Sequence, residues 1–125
     1  MMKMNKRDIG KLGENIAVRF FEDQNIKILD KNYFTKFGEI DLIGIENKTI
    51  IFIEVKLRYS KSFGVPYEAV TELKLDRLRK SALCYLADKE ISDTDCRFDI
   101  LSLLYDSTDK SFKVDWLKDW VFFDE

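Results

Sequence analysis

The chain is predicted to be an α/β sandwich, with a mixed central sheet of about five strands flanked by helices in the order α-β-β-β-α-β-β. Three observations carry this expectation. An early segment repeats apolar residues at helical spacing, and the segments after it alternate apolar and polar residues with a period of two. A second helical segment then lies between strand segments, a connection that favours a parallel, right-handed crossover. At 125 residues the chain is read as one domain, 1–125, large enough to bury a core. It has no repeats, low-complexity segments or Pro/Gly-rich linkers.

The first helix is expected to be capped by Asp8 and to run to about Asn25. Its stripe is Ile9, Leu12, Ile16, Ala17, Phe20 and Phe21, with Glu14 at the edge. Three strands follow, roughly Ile26–Phe34, Glu39–Ile45 and Thr49–Arg58, the last two joined by a turn at Asn47-Lys48. A loop holding Gly64 and the only proline, Pro66, leads to a helix starting near Thr71. That helix turns Leu75, Leu78, Ala82, Tyr85 and Leu86 inward. Strands near Arg97–Tyr105 and Phe112–Phe123 complete the order; for the last, with its Trp116 and Trp120, a partly helical alternative stays open.

Composition removes several function classes. A charged fraction of 35% beside 46% apolar residues describes a soluble globular protein. No apolar run is long enough to span a bilayer, and the Lys-rich start lacks a signal-peptide core. Cys84 and Cys96 form no disulfide framework or metal motif, which suits reduced thiols in a cytoplasmic protein. The sequence has no histidine, so catalysis through a His base or a His-ligated zinc is excluded. The net charge of −2 argues against a protein that coats nucleic acid indiscriminately. The charge is segregated, however: residues 88–125 carry a net −6 and residues 1–87 a net +4.

The hairpin Gly38–Arg58 carries the chemistry. Side chains alternate across a strand, so Ile51, Ile53, Val55 and Leu57 share one face while Glu54, Lys56 and Arg58 share the other. A turn at Asn47-Lys48 pairs Glu46 with Thr49; continued, this register sets Asp41 opposite Glu54 and Glu39 opposite Lys56. Like charges so opposed are destabilising, and a bound cation would relieve them. Oxygen ligands suit Mg²⁺ or Mn²⁺, and Mg²⁺ takes only one or two carboxylates, completing its shell with water and phosphate oxygens. An ion on Asp41 and Glu54 would activate water and neutralise a phosphodiester. Lys56, on the same face, would position or deprotonate that water, or stabilise the charged phosphorus centre.

A mid-strand Asp followed by Glu-x-Lys on the next strand resembles the PD-(D/E)xK nuclease core of restriction endonucleases and archaeal Holliday-junction resolvases. Across most of its length the chain is more specifically similar to the YraN family of small bacterial endonuclease-like proteins. The resemblance runs through Gly10-Lys-Leu-Gly-Glu14, Gly38-Glu-Ile-Asp-Leu-Ile43, Ile53-Glu-Val-Lys-Leu-Arg58, Phe63-Gly64, Pro66, Glu68-Ala-Val70, Lys74, Arg77-Leu78, Tyr85-Leu86 and Arg97-Phe-Asp99. Ile40 stands where the nuclease pattern often has proline before the Asp. The resemblance implies a restriction-endonuclease-like fold with Glu14, Asp41, Glu54 and Lys56 as the catalytic set, Glu14 supporting the metal through water. Lys74 matches a position that often borders such a site.

Around that site Arg58, Lys61, Lys74, Arg77, Arg79 and Lys80 are expected to grip phosphates rather than read bases. Tyr59, Phe63 and Tyr67 are candidates to stack on an unpaired base or to fill the core. The expected activity is Mg²⁺- or Mn²⁺-dependent cleavage of branched, nicked or single-stranded DNA in repair or recombination. Cutting both strands of a junction would suit a two-fold homodimer. Two further readings stay open: a non-catalytic module binding nucleic acid or a repair or replication partner, and a protein-interaction domain whose carboxylate face is merely solvated.

Overall fold

The computed structural model describes residues 5–59 and 72–121. Lys61, Phe63, Gly64, Pro66 and Tyr67, the helix start near Thr71 and the strand end at Phe123 lie outside the described residues. The elements are α1 (Lys6–Asp23), β1 (Lys27–Thr35), β2 (Gly38–Glu46), β3 (Thr49–Tyr59), α2 (Glu72–Asp88), β4 (Cys96–Asp106) and β5 (Ser111–Val121). They build one five-stranded sheet in the order β1-β2-β3-β4-β5. Only β3 and β4 run parallel, as the crossover through α2 requires.

Local chemistry explains both helix boundaries. Asn5, not Asp8, caps α1: its Oδ1 accepts the Asp8 N–H at 2.8 Å, satisfying an amide left free by the helix start. The helix ends earlier than Asn25 because Asn25 adopts a left-handed φ of 64°. Ile26 N–H then donates to Phe21 C=O and Asn25 N–H to Glu22 C=O. This is the double-bonded Schellman stop, and Ile26 and Phe21 share one core cluster beneath it. α2 stops the same way, with Glu90 at φ 56° and Ile91 N–H donating to Leu86 C=O at 2.8 Å.

The two faces of the sheet carry separate cores. α1 buries Ile9, Gly13, Ala17 and Phe21, and Ala17 and Phe21 pack with Leu42, Ile51, Ile53, Leu101 and Leu103. Each such large side chain contributes about 1.5–3 kcal/mol by leaving water. Leu12, expected in the stripe, is instead 38% exposed. Gly13 takes the contact: a methyl group there would lie 3.4 Å from Leu103 Cδ1, so the bare backbone sets the helix close to the sheet. On the opposite face α2 supplies Leu78, Ala82 and Tyr85 to Ile40, Ile43, Ile50, Phe52 and Phe98, with Leu75 and Leu86 half-buried beside them. β5 is strand throughout Ser111–Val121, so the segment around Trp116 and Trp120 has no helical part.

Candidate active site

The β2–β3 register agrees with the turn arithmetic from Glu46↔Thr49 to Leu42↔Ile53. There the ladder stops, one pair short of Asp41 and Glu54. In a continued ladder the Val55 N–H would reach the Ile40 carbonyl; instead it donates to Asp41 Oδ2 at 2.8 Å. The strands part at this point, and the Asp41 side chain bridges the gap.

β1 explains the parting. Its pairing with β2 starts at Lys27↔Ile45 and shifts register between Ile28 and Asp30. It then runs from Asp30↔Ile43 to Thr35↔Gly38 but omits the opposed residues Asn32 and Asp41. Asn32 has a left-handed φ of 49°. Ile40 and Ile43, three residues apart, both enter the α2-side core, so the strict two-residue alternation is reset across Asp41. Asp41 is thereby freed from either layer and lines clefts on both sides of the sheet.

The α2-side cleft, about 460 Å³, brings Asp41 and Glu54 together with Glu39, Lys74 and Arg77. Glu54 is 8% exposed, and its Oε2 receives two ammonium groups, Lys74 Nζ at 2.6 Å and Lys56 Nζ at 3.3 Å. Lys56 therefore pairs with its strand neighbour Glu54 and not with Glu39, as the uninterrupted register had implied. Glu39 instead accepts from Asn32 Nδ2 at 2.8 Å.

The electrostatics follow from this crowding. Burial, then the charge of Glu54 and that of Glu39, push the Asp41 carboxyl up to about 7 against the opposing Val55 hydrogen bond and Lys74 charge. Burial and the adjoining Lys74 ammonium lower the Lys56 pKa despite the pull of Glu54. Lys74 moves the other way: burial disfavours its charge, but Glu54, Lys56 and Asp41 together raise it. The site thus holds a carboxyl and an amine whose proton affinities have been drawn toward each other.

The remaining expected residues are distributed differently. Glu14 is exposed on α1 and lines the α1-side cleft, about 170 Å³, with Asp41, Lys31 and Asn32. The split at Asp41 separates it from the Glu54 cleft. Arg77 is exposed on the α2-side cleft, and Lys80 reaches Asp76 Oδ2 at 3.0 Å. Arg58 is half-buried near the end of β3, and Tyr59 is covered by Lys6 Nζ at 5.6 Å from its ring centre.

The donor set suits a hard divalent ion held by two carboxylates and completed by water. Asp41 keeps Oδ1 apart from its Val55 bond, and the mutual repulsion of Asp41 and Glu54 is what a cation relieves. Among the described residues no group of three acidic or cysteine side chains converges as a metal cluster. Asp41 and Glu54, which share the α2-side cleft with Lys74, are the donors that would hold such an ion.

One part of the cleft mouth escaped the sequence reading. The β1–β2 turn carries Lys36 and Phe37, and the Phe37 ring lies 5.3 Å from Lys36 Nζ and 5.5 Å from Lys80 Nζ. A short Lys-Phe-Gly turn looks like any hairpin tip; only the tertiary approach of α2 assembles the cluster.

Comparison with known proteins agrees with the resemblance to the YraN family. The model of the family described as "Uncharacterised protein family UPF0102" matches residues 13–103, a span that includes Glu14, Asp41, Glu54, Lys56 and Lys74. A UPF0102 protein of Fusobacterium nucleatum is 43% identical over 122 residues, covering 98% of both chains. One from Clostridium botulinum is 40% identical over 119 residues, covering 95% of this chain and 97% of its own. One from Geotalea daltonii is 41% identical over 102 residues, covering 82% and 80% respectively. With the family model spanning most of the chain and relatives matching nearly end to end, this protein belongs to the UPF0102 family.

Proposed function

We propose that the protein is a divalent-metal-dependent phosphodiesterase acting on branched, nicked or single-stranded DNA, consistent with a role in repair or recombination. The observation that carries this reading is the parting of β2 and β3, which leaves Asp41 in one open cleft with Glu54, itself paired with Lys56 and Lys74. Asp41 and Glu54 would hold Mg²⁺ or Mn²⁺, which when bound supplies neutralisation of phosphate charge and a more acidic water. Glu14 shares only the α1-side cleft with Asp41, so its support of that ion would run through water on the Asp41 side.

The chain's own residues do the rest. Lys56, its pKa lowered by burial and Lys74, would in its neutral amine form accept a proton from the water whose oxygen attacks phosphorus. The new P–O bond forms as the ester P–O bond breaks, and the leaving oxygen is protonated from solvent. Lys74 and Arg77 on the cleft wall hold phosphate oxygens, with Arg58 and Lys61 following the E-x-K strand.

Incubating end-labelled four-way, nicked and single-stranded DNA with Mn²⁺ tests the reading. Cleavage is expected from the wild type, with a loss of about 100-fold or more in Asp41→Asn, Glu54→Gln and Lys56→Met. Intact substrates with the wild type, and DNA affinity unchanged by these substitutions, count against catalysis.

A second reading, a non-catalytic nucleic-acid-binding module, is favoured by one contact: Lys74 Nζ lies 2.6 Å from Glu54 Oε2, where an internal ammonium serves as counter-charge. That reading expects salt-sensitive DNA binding through Arg58, Lys74 and Arg77 that needs no metal.

A further inference from the structure

Phe37 is an aromatic residue that neither core recruits. It lies in the turn between β1 and β2, half-buried, and belongs to neither packed cluster of the described residues. Two lysines from different elements converge on its ring, Lys36 of the turn and Lys80 of α2. Lys80 divides its charge between that ring and Asp76.

The turn is held in place. Gly38, at φ +144°, makes the bend that returns the chain into β2. Thr35 Oγ1 accepts the Phe37 N–H at 3.0 Å and donates to the Gly38 carbonyl at 3.0 Å. The same hydroxyl meets Ser81 Oγ at 2.8 Å, and Ser81 is 1% exposed on α2. A buried α2 hydroxyl therefore tethers the hairpin tip, and Phe37 lines the cleft that contains Asp41 and Glu54.

An aromatic ring flanked by ammonium groups matches one ligand chemistry well. A nucleobase stacks on the ring, while its flanking phosphates draw the lysines off the π-face. A base within a duplex presents no free face to Phe37, so the match is to an unpaired nucleotide. We propose that the Lys36-Phe37 turn is a stacking subsite for an unpaired nucleotide, with Lys36 and Lys80 holding its flanking phosphates. This deepens the nucleic-acid reading above and rests on it: single-stranded DNA enters the cleft from the β1–β2 side.

The test is fluorescence anisotropy with the full chain at low salt and with a chelator present, so that no strand is cut. Labelled oligothymidylate and a blunt duplex of equal length are the probes, and Phe37→Leu, Phe37→Trp and Lys36→Gln the variants. Phe37→Leu, which keeps apolar volume, is expected to weaken oligothymidylate binding about 5- to 100-fold and duplex binding by less than about two-fold. Phe37→Trp retains the affinity. Lys36→Gln, on an exposed side chain, lowers the salt slope of oligothymidylate binding by about one. Oligothymidylate affinity unchanged in Phe37→Leu, or equal losses for both probes, overturns the subsite while leaving the nucleic-acid reading intact. A wild type that binds neither probe overturns both.

Discussion

Asp41 and Asp99 make an instructive pair, because each carboxylate bridges an interruption in the sheet. Asp41 accepts the Val55 N–H where β2 leaves β3. Asp99 accepts the Asp119 N–H at 2.8 Å where the β4–β5 register shifts. Asp99 is then saturated by Arg97 Nε at 3.0 Å and Trp116 Nε1 at 2.9 Å, so its charge is spent on structure. Asp41 has one such bond, and burial together with its two carboxylate neighbours, Glu54 and Glu39, pushes it up to about 7. An Asp raised above its unfolded value binds its proton more tightly when folded. Its ionisation therefore costs stability as pH rises through about 7, and that cost is absent below about 4. In metal-free buffer Asp41→Asn is expected to stabilise the protein by roughly 1–3 kcal/mol at pH 8 and by nothing measurable near pH 4. Denaturant titrations at the two pH values read the difference. An equal effect at both would remove the electrostatic account of this residue.

At the scale of elements, the helix stops and the split hairpin explain what the sequence made legible. Apolar spacing in α1 and α2, the Asn47-Lys48 turn and the parallel crossover could be read directly, because each depends on local periodicity or chain chirality. The turn register carried as far as Leu42↔Ile53. It failed beyond because the kink at Asn32 lies on another strand, and a two-strand argument cannot contain it. Hence the expected Glu39–Lys56 opposition gives way to Asn32–Glu39 and Glu54–Lys56 contacts. The Asn5 cap and the half-exposed Leu12 escaped for a related reason: Asp8 was also an acceptable cap, and Gly13 displaced Leu12 only through its approach to Leu103. The stop of α2 makes its own prediction. Glu90 holds a left-handed conformation at φ 56° that favours glycine. Glu90→Gly is expected to raise stability by about 0.5–1 kcal/mol, the relief of that conformation being partly offset by a freer unfolded chain. A lowered thermal midpoint would show that the Glu90 side chain contributes more than its backbone strain removes.

For the whole molecule, one sheet with two cores gives the cleft its rigidity. β3 lies at the centre, between β2 and β4, so Glu54 and Lys56 project from the best-supported strand while Asp41 lies on its parted neighbour. The far end is secured by the buried Asp99, 1% exposed, with Arg97 reaching across to Glu46 Oε1 at 3.0 Å. Asp99→Ala leaves the Trp116 and Asp119 N–H groups without their acceptor and Arg97 with Glu46 alone, and is expected to cost about 3–5 kcal/mol. Asp99→Asn, which keeps an acceptor, should cost less. Chemical denaturation of both variants checks the order, and the reverse order would mean that packing rather than charge holds β5. None of the described helices is long and apolar enough to cross a membrane.

The carboxylate pair was legible in part. The turn carried the register to Leu42↔Ile53 and so pointed at Asp41 and Glu54, but the parting of the strands there was not contained in a turn and a period of two. The Lys74 contact and the Phe37 cluster were not legible, since both need α2 laid against the sheet, a packing that periodicity does not specify. The central claim is that the parting of β2 and β3 makes a divalent-cation site from Asp41 and Glu54. Calorimetric titration of Mn²⁺ into the wild type, Asp41→Asn and Glu54→Gln at pH 8 tests it most directly. The account predicts saturable binding by the wild type, weakened about ten-fold or more by either substitution. No Mn²⁺ binding by the wild type, or binding that both variants retain in full, would contradict it.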